Sequence, residues 1–191
     1  APLVDILFHR GEIFKYDYTA HHYCFFISRM IPEVLLHSQK QDERIIKSHY
    51  DNQNQLFNWF LGPKMIYTSC YFKNEDESLE EAQENKMNLI AQKMQLKPGE
   101  ELLDIGCGWG TLVAHLAKHY GVNTTGVTIA QAGADWANQQ IKDHGVEDKA
   151  KIWVKDYRDI PRDKKYNKIT CLEMAEHVGI KYFKKFMKQC Y

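Results

Sequence analysis

The chain has 191 residues, 44% of them hydrophobic, which supplies the core of one globular domain with an appended helical segment and excludes a disordered tail. Its 25 Lys plus Arg cancel 25 Asp plus Glu, so bulk charge offers no general attraction to nucleic acid or to an anionic membrane, and any such contact has to be local. Five cysteines (Cys24, Cys70, Cys107, Cys171, Cys190), odd in number and without a C-x-x-C pair, argue against a disulfide framework or a structural zinc site and fit a reducing compartment.

Residues 1 to 60 are rich in aromatics and histidines and read mainly as helices. Phe25, Phe26, Met30, Ile31, Leu35 and Leu36 recur at helical spacing, with Pro32 expected as an interruption. Gly62-Pro63 marks a turn, an apolar stretch follows from Met65 to Phe72, and Asn74-Glu75-Asp76-Glu77 reads as a solvated loop. Ser78 and Glu81 form a capping box that opens a helix over 79–95, closed by the Lys97-Pro98-Gly99 turn. Strands then alternate with helices: strand 102–105, helix 111–120, strand 122–129, helix 131–144, strand 151–154, strand 168–172 and helix 180–191. This alternation predicts a parallel, doubly wound α/β sheet. The expected organisation is an N-terminal helical or lid segment over 1–78 and a nucleotide-binding core over 79–191. No run reaches the roughly 18–20 apolar residues of a membrane span and no signal pattern opens the chain, which by itself reads as soluble and cytoplasmic-facing. A start at Ala1-Pro2 and an end at Tyr191 inside a helical pattern lead to the expectation of a segment of a longer protein, its fourth strand left with an unpaired edge.

Leu103-Asp104-Ile105-Gly106-Cys107-Gly108-Trp109-Gly110-Thr111 puts three glycines where a strand turns into a helix, at the carboxyl edge of the sheet. Glycines admit a ligand close to the backbone, and the helix N-terminus offers unpaired N–H groups and partial positive charge. A phosphate-gripping loop needs a Gly-Lys-Ser/Thr ending, and the dinucleotide fingerprint needs glycine where Thr111 stands. Asp-x-Gly-x-Gly suits instead S-adenosylmethionine, whose amino-acid end brings a carboxylate and an ammonium; a tight turn without a ligand is the alternative.

Tyr50-Asp51, Trp59 to Ser69, Leu79-Glu80-Glu81-Ala82-Gln83, Leu96-Lys97-Pro98-Gly99, Leu103 to Gly110, Gly126-Val127-Thr128, Asp156-Tyr157-Arg158-Asp159 and Glu176-His177-Val178-Gly179 occur in the order of the cyclopropane-fatty-acid-synthase family of S-adenosylmethionine-dependent methyltransferases. Over residues 45–191 the chain resembles that family. Met65-Ile66-Tyr67-Thr68-Ser69 and Cys171 to Gly179 are most similar to its fungal sphingolipid C9-methyltransferase branch. The resemblance implies a Rossmann-like fold and methyl transfer to a lipid double bond: C9 of the sphingoid base of glucosylceramide, or, alternatively, cyclopropane formation on unsaturated phospholipid. It also implies a lipid substrate, no nucleic-acid partner, and a whole protein associated with a membrane, the endoplasmic reticulum.

Site residues follow from the same resemblance. It gives the cofactor Tyr67, Thr68 and Asp104, with Gly106 and Gly108 at the methionine moiety, Thr128 and Ile129 at the ribose, Tyr157 and Arg158 at the adenine, and His177 against the cofactor. Glu176 and Ser69 carry the catalytic expectation, the glutamate helping to hold a bicarbonate that accepts a proton, and Ser69 standing where cyclopropane-forming members place a cysteine. Gly133 departs from the family's glutamine. His115 and His119, four apart on one helix without a third ligand in view, read as helix surface or core rather than zinc ligands, and Cys107 lacks a local base that would make it a nucleophile. Lys181, Lys184, Lys185 and Lys188 form a solvated face opposite Ile180, Phe183, Met187 and Cys190.

Overall fold

The computed structural model of the chain describes residues 18–36, with side chains to Ser28, and residues 54–191. Tyr50-Asp51 and the helical patterns before residue 18 lie outside the described residues. Two compact units are present, 1–41 and 42–191. The first contains α1 (Ala20–Leu36), whose described side chains are exposed. The helix runs through Pro32 instead of breaking there. Proline removes one backbone donor, and the remaining bonds on either side keep the turn helical.

The second unit begins with α2 (Asn54–Leu61) and α3 (Leu79–Met94). The predicted capping box closes α3 at its start: Ser78 Oγ accepts from the Glu81 backbone N–H, and the Glu81 carboxylate accepts from the Ser78 N–H at 2.8 Å. That pairing pulls the Glu81 carboxyl below its ordinary range. Then come β1 (Glu101–Ile105), α4 (Thr111–Tyr120), β2 (Asn123–Thr128), α5 (Gln131–Asp143), β3 (Ala150–Val154), a 3-10 turn at Tyr157–Asp159, β4 (Lys168–Thr170), a second 3-10 turn at Ala175–Val178, and α6 (Ile180–Cys190). Each of these strands and α-helices lies within about two residues of its sequence-predicted bounds, the usual uncertainty of such ends, whereas the two 3-10 turns have no counterpart in the sequence pattern.

The four strands are parallel in the order β3-β2-β1-β4. From β1 the chain moves outward to β2 and β3, then crosses back so that β4 pairs on the other side of β1. The carboxyl ends of β1 and β4 therefore flank a switch point, the place where open α/β sheets bind ligands. β1 is buried on both faces. Leu102 packs with Met87, Ala91, Leu112, Leu116 and Val122 under α3 and α4, while Leu103 and Ile105 pack with Val178 and Phe186 on the opposite side. Val113, Ala114 and Ala117 of α4 meet Ile141 of α5 and Ala150 of β3. β3 and β4 form the two edges of the described sheet, and β4 stops at Thr170, two residues earlier than the pattern predicts, where the chain turns toward the glycine loop and lays Met174 on Gly106.

His115 sits within this core, 7% exposed, with Nε2 2.9 Å from Asn88 Oδ1 and its ring 4.6 Å from that of His119. Burial, and then His119 beside it, lower its pKa to about 4. Between that value and the ordinary 6.5 the unfolded chain holds the extra proton, so acidification through this window removes stability, on the order of 3 kcal/mol. A His115→Gln variant is expected to lose less melting temperature than the parent between pH 7 and pH 4.5. Equal losses in paired thermal melts would contradict the assignment.

Candidate functional site

At the switch point the structure opens a cavity of about 220 Å³. Each strand's carboxyl end contributes to its wall: Asp104 and the glycine turn after β1, Thr128 and Ile129 after β2, Asp156-Tyr157-Arg158 after β3, and Leu172-Glu173-Met174 after β4. Residues 65–68 and the Lys86-Met87-Ile90 face of α3 close the other side.

The glycine turn is held tightly. Gly106 and Cys107 both donate to the Val127 carbonyl at 2.9 Å, and Gly110 donates to Cys107 at 2.8 Å. A Cβ on Gly106 would meet Met174 Cγ at 2.6 Å, so the segment after β4 lies directly on the turn. Above Gly108, by contrast, a Cβ would meet nothing within 4 Å, and that open backbone faces the cavity. Gly133 approaches the turn from α5, where a Cβ would come 2.8 Å from the Gly108 carbonyl oxygen. This close approach explains a glycine at a position where the family's glutamine is expected.

Asp104 is 3% exposed and lines the cavity. Its register partner on β4, Thr170, donates from Oγ1 to Asp104 Oδ1 at 2.7 Å. Burial outweighs that hydrogen bond and raises the carboxyl to about 6. At neutral pH it is a buried anion in need of a cation. Burial, reinforced by Asp104, also pushes the Cys107 thiol well above its usual range, which leaves it a poor nucleophile.

The remaining predicted residues divide into two groups. Tyr67, Thr68, Gly106, Gly108, Thr128, Ile129, Tyr157, Arg158 and His177 line the same cavity as Asp104. Tyr67 stands edge-on to Phe57 and Phe60 at 5.6 and 6.0 Å. Thr128 Oγ1 accepts from the Ala130 N–H at 3.3 Å. Tyr157 packs edge-on against Phe186 at 5.3 Å, and Asp156 fixes Arg158 through Nε at 2.8 Å and an ion pair at 2.6 Å. Glu176 and Ser69 stand apart from this group: both are exposed and neither lines the cavity, Glu176 being on the second 3-10 turn. Ser69 instead reaches Glu173, which does line it. The Ser69 N–H and hydroxyl donate to Glu173 Oε1 at 3.2 and 3.3 Å, and Lys86 Nζ lies 3.6 Å from the same oxygen. Sequence reading passed over Glu173 and Lys86. The one available signal was a second glutamate three residues before Glu176.

Asn54 ties α2 to this wall. Its amide oxygen accepts from Trp109 Nε1 at 2.8 Å, and its amide nitrogen donates to the Ala132 carbonyl at 3.1 Å. Phe57, Leu61, Met65 and Trp109 pack beside it, while Trp59, 74% exposed, and Phe60 face outward.

Residues 37–191 match the mycolic acid cyclopropane synthetase family. The chain belongs to that family. Sphingolipid C9-methyltransferases of Komagataella phaffii and Candida albicans are 45% and 42% identical to it, each over 98% of this chain and over 40% and 38% of their own length. The chain thus spans about two-fifths of the curated relatives it matches. Among solved structures, the mycolic acid cyclopropane synthase CmaA1 complexed with SAH and CTAB superposes with a TM-score of 0.73 at 28% identity, covering 78% of this chain and 51% of that one. The Mycobacterium tuberculosis cyclopropane synthase MmaA2 gives 0.72 at the same identity, covering 77% and 51%. The parallel α/β sheet that the strand pattern predicts is therefore the family's methyltransferase fold, Rossmann-like as the resemblance implies.

Proposed function

We propose that the whole protein containing this chain transfers a methyl group from S-adenosylmethionine to a lipid carbon–carbon double bond, C9 of the sphingoid base of glucosylceramide. The observation that carries this reading is one cavity that joins a buried acid and an open glycine turn to an apolar wall built from Ile66, Met87, Ile90, Leu112 and Leu172. Asp104 meets the cofactor's ammonium, and the first N–H groups of α4 meet its carboxylate. Tyr157 and Arg158 flank the adenine, the tyrosine offering it a flat surface as small-molecule sites do, and Thr128 and Ile129 lie at the ribose. When bound, S-adenosylmethionine supplies an electrophilic methyl group. An isolated alkene is a weak nucleophile, so the chain's contribution is to hold it in line and in contact. Identity to the fungal sphingolipid enzymes supports the lipid assignment.

Segment 1–78 receives the lipid, a role supported by the outward Trp59 and Phe60 on α2. The whole protein acts at a membrane, the endoplasmic reticulum, where such lipids are dissolved. No helix among the described residues is long and apolar enough to cross a membrane.

The test is incubation of the whole protein with S-adenosylmethionine, glucosylceramide carrying an unsaturated base, and unsaturated phospholipid. A methyl-branched sphingoid base in the mass spectrum is the expected product. Cyclopropanated phospholipid alone would establish the second reading, which similarity to the cyclopropane synthases favours. Cofactor binding without transfer to either lipid would overturn both.

A further inference from the structure

Methylation that leaves a branched alkene requires a proton acceptor. The family resemblance supplies a bicarbonate for it, held through Glu176, whose side chain is exposed and outside the cavity wall. A different carboxylate of the chain already stands in the cavity. Glu173 follows β4 at the switch point with φ +50, the left-handed region that costs a non-glycine residue roughly 1 kcal/mol. Strain of this kind persists only where the surroundings impose it. Here Met174 is wedged on Gly106, and Glu173 Oε1 is fixed by the Ser69 N–H, the Ser69 hydroxyl and the Lys86 ammonium. The Lys86 side chain is only 15% exposed, so its charge acts from within the wall. All three donors converge on Oε1, and no described residue donates to Oε2. One oxygen is anchored and the other is available to a proton.

We propose that Glu173 is the catalytic base of the methyl transfer, its Oε2 taking the proton released by the methylated lipid; this rests on the alkene-methylating reading given above. The balance is closed. The S–CH3 bond breaks and leaves its electron pair on sulfur, while the alkene π pair forms the new C–CH3 bond and leaves a cation on the neighbouring carbon. The methylated carbon then loses its hydrogen as a proton to Glu173, and the C–H pair restores the double bond. The side chain, 47% exposed, afterwards returns the proton to water.

The test compares the whole protein with its Glu173→Gln and Glu173→Asp variants. Cofactor affinity, measured by calorimetry, is expected to be unchanged, which reports intact folding. Turnover is expected to fall by about 10²–10⁴ in Glu173→Gln, the usual range for losing a general base, and by less in Glu173→Asp, which keeps a retracted carboxylate. Removal of dissolved bicarbonate is expected to leave wild-type turnover unchanged. A second readout needs no turnover: a long-chain quaternary ammonium mimics the lipid cation and is expected to bind Glu173→Gln about tenfold more weakly than wild type, an uncharged chain of equal length binding both alike. Glu173→Gln turnover within threefold of wild type, equal ammonium binding, or wild-type activity that collapses without bicarbonate would each overturn the proposal while leaving lipid methylation standing. A wild-type protein that methylates no lipid would overturn the reading beneath it.

Discussion

Replacing Asp104 with asparagine is expected to weaken S-adenosylmethionine binding about 100-fold, since a buried, charge-assisted contact to the cofactor's ammonium contributes roughly 2–3 kcal/mol. The carboxylate is enclosed, Thr170 supports one of its oxygens, and no lysine or arginine pairs with it among the described residues. Its pKa of about 6 gives the effect a pH signature. Below that value the folded protein holds a proton on Asp104, and cofactor binding has to expel it. Wild-type affinity therefore falls as pH drops through 6, with proton release visible in calorimetry across buffers of different ionisation enthalpy, while the asparagine variant shows neither.

Stability runs the opposite way. A carboxyl raised from 3.8 to about 6 on folding favours the fold below pH 4 and loses that contribution as pH rises through 6, on the order of 3 kcal/mol. The Asp104→Asn variant is thus expected to melt higher than the parent at pH 8 while binding cofactor worse. An affinity within threefold of wild type at pH 7.5 would remove Asp104 from the site.

Gly110→Ala is the second large effect expected, a loss of about 2–4 kcal/mol, or close to 10 °C in melting temperature. Gly110 begins α4 at φ +73, and an added Cβ would collide with the Ala137 side chain on α5 and approach its Cα to 3.2 Å. Backbone strain supplies roughly 1 kcal/mol of that and overpacking the rest. Gly99→Ala separates the two, because Gly99 has φ +83 and nothing within 4 Å of an added Cβ. It is expected to cost only the smaller part. Adding Ala137→Gly to Gly110→Ala should recover part of the larger loss. Equal destabilisation at Gly99 and Gly110 would show that the α4–α5 contact is not tight.

Much of this architecture was legible because it is local. Ser78 and Glu81 announce α3 through a hydrogen-bond exchange within one turn, and the strand–helix alternation from Glu101 to Asp143 is a change of hydrophobic period along the chain. The glycines at 106–110 were readable for the same reason. What escaped depends on residues far apart in sequence. Asp104 and Thr170 meet only because β4 pairs beside β1, and Ser69, Lys86 and Glu173 converge from three separate segments. Glu173 also takes a backbone conformation that no glycine or asparagine advertised. Pro32 misled in the other direction, since a single missing donor carries less weight than the helical bonds around it.

Asn54 adds a polar link beside the apolar cluster that joins α2 to the glycine turn. Its oxygen carries Trp109, part of the bend over which the nucleoside is to sit, and its nitrogen grips the first turn of α5, while its own helix presents Trp59 and Phe60 outward. α2 therefore meets the bend through one hydrogen bond and the Phe57–Trp109 ring contact at 4.9 Å, and meets α5 through the other. If docking of an acyl chain there tightens the nucleoside's grip, the nucleoside must tighten the chain's by the same factor, which makes the order in which the two arrive immaterial to the energy of the filled site.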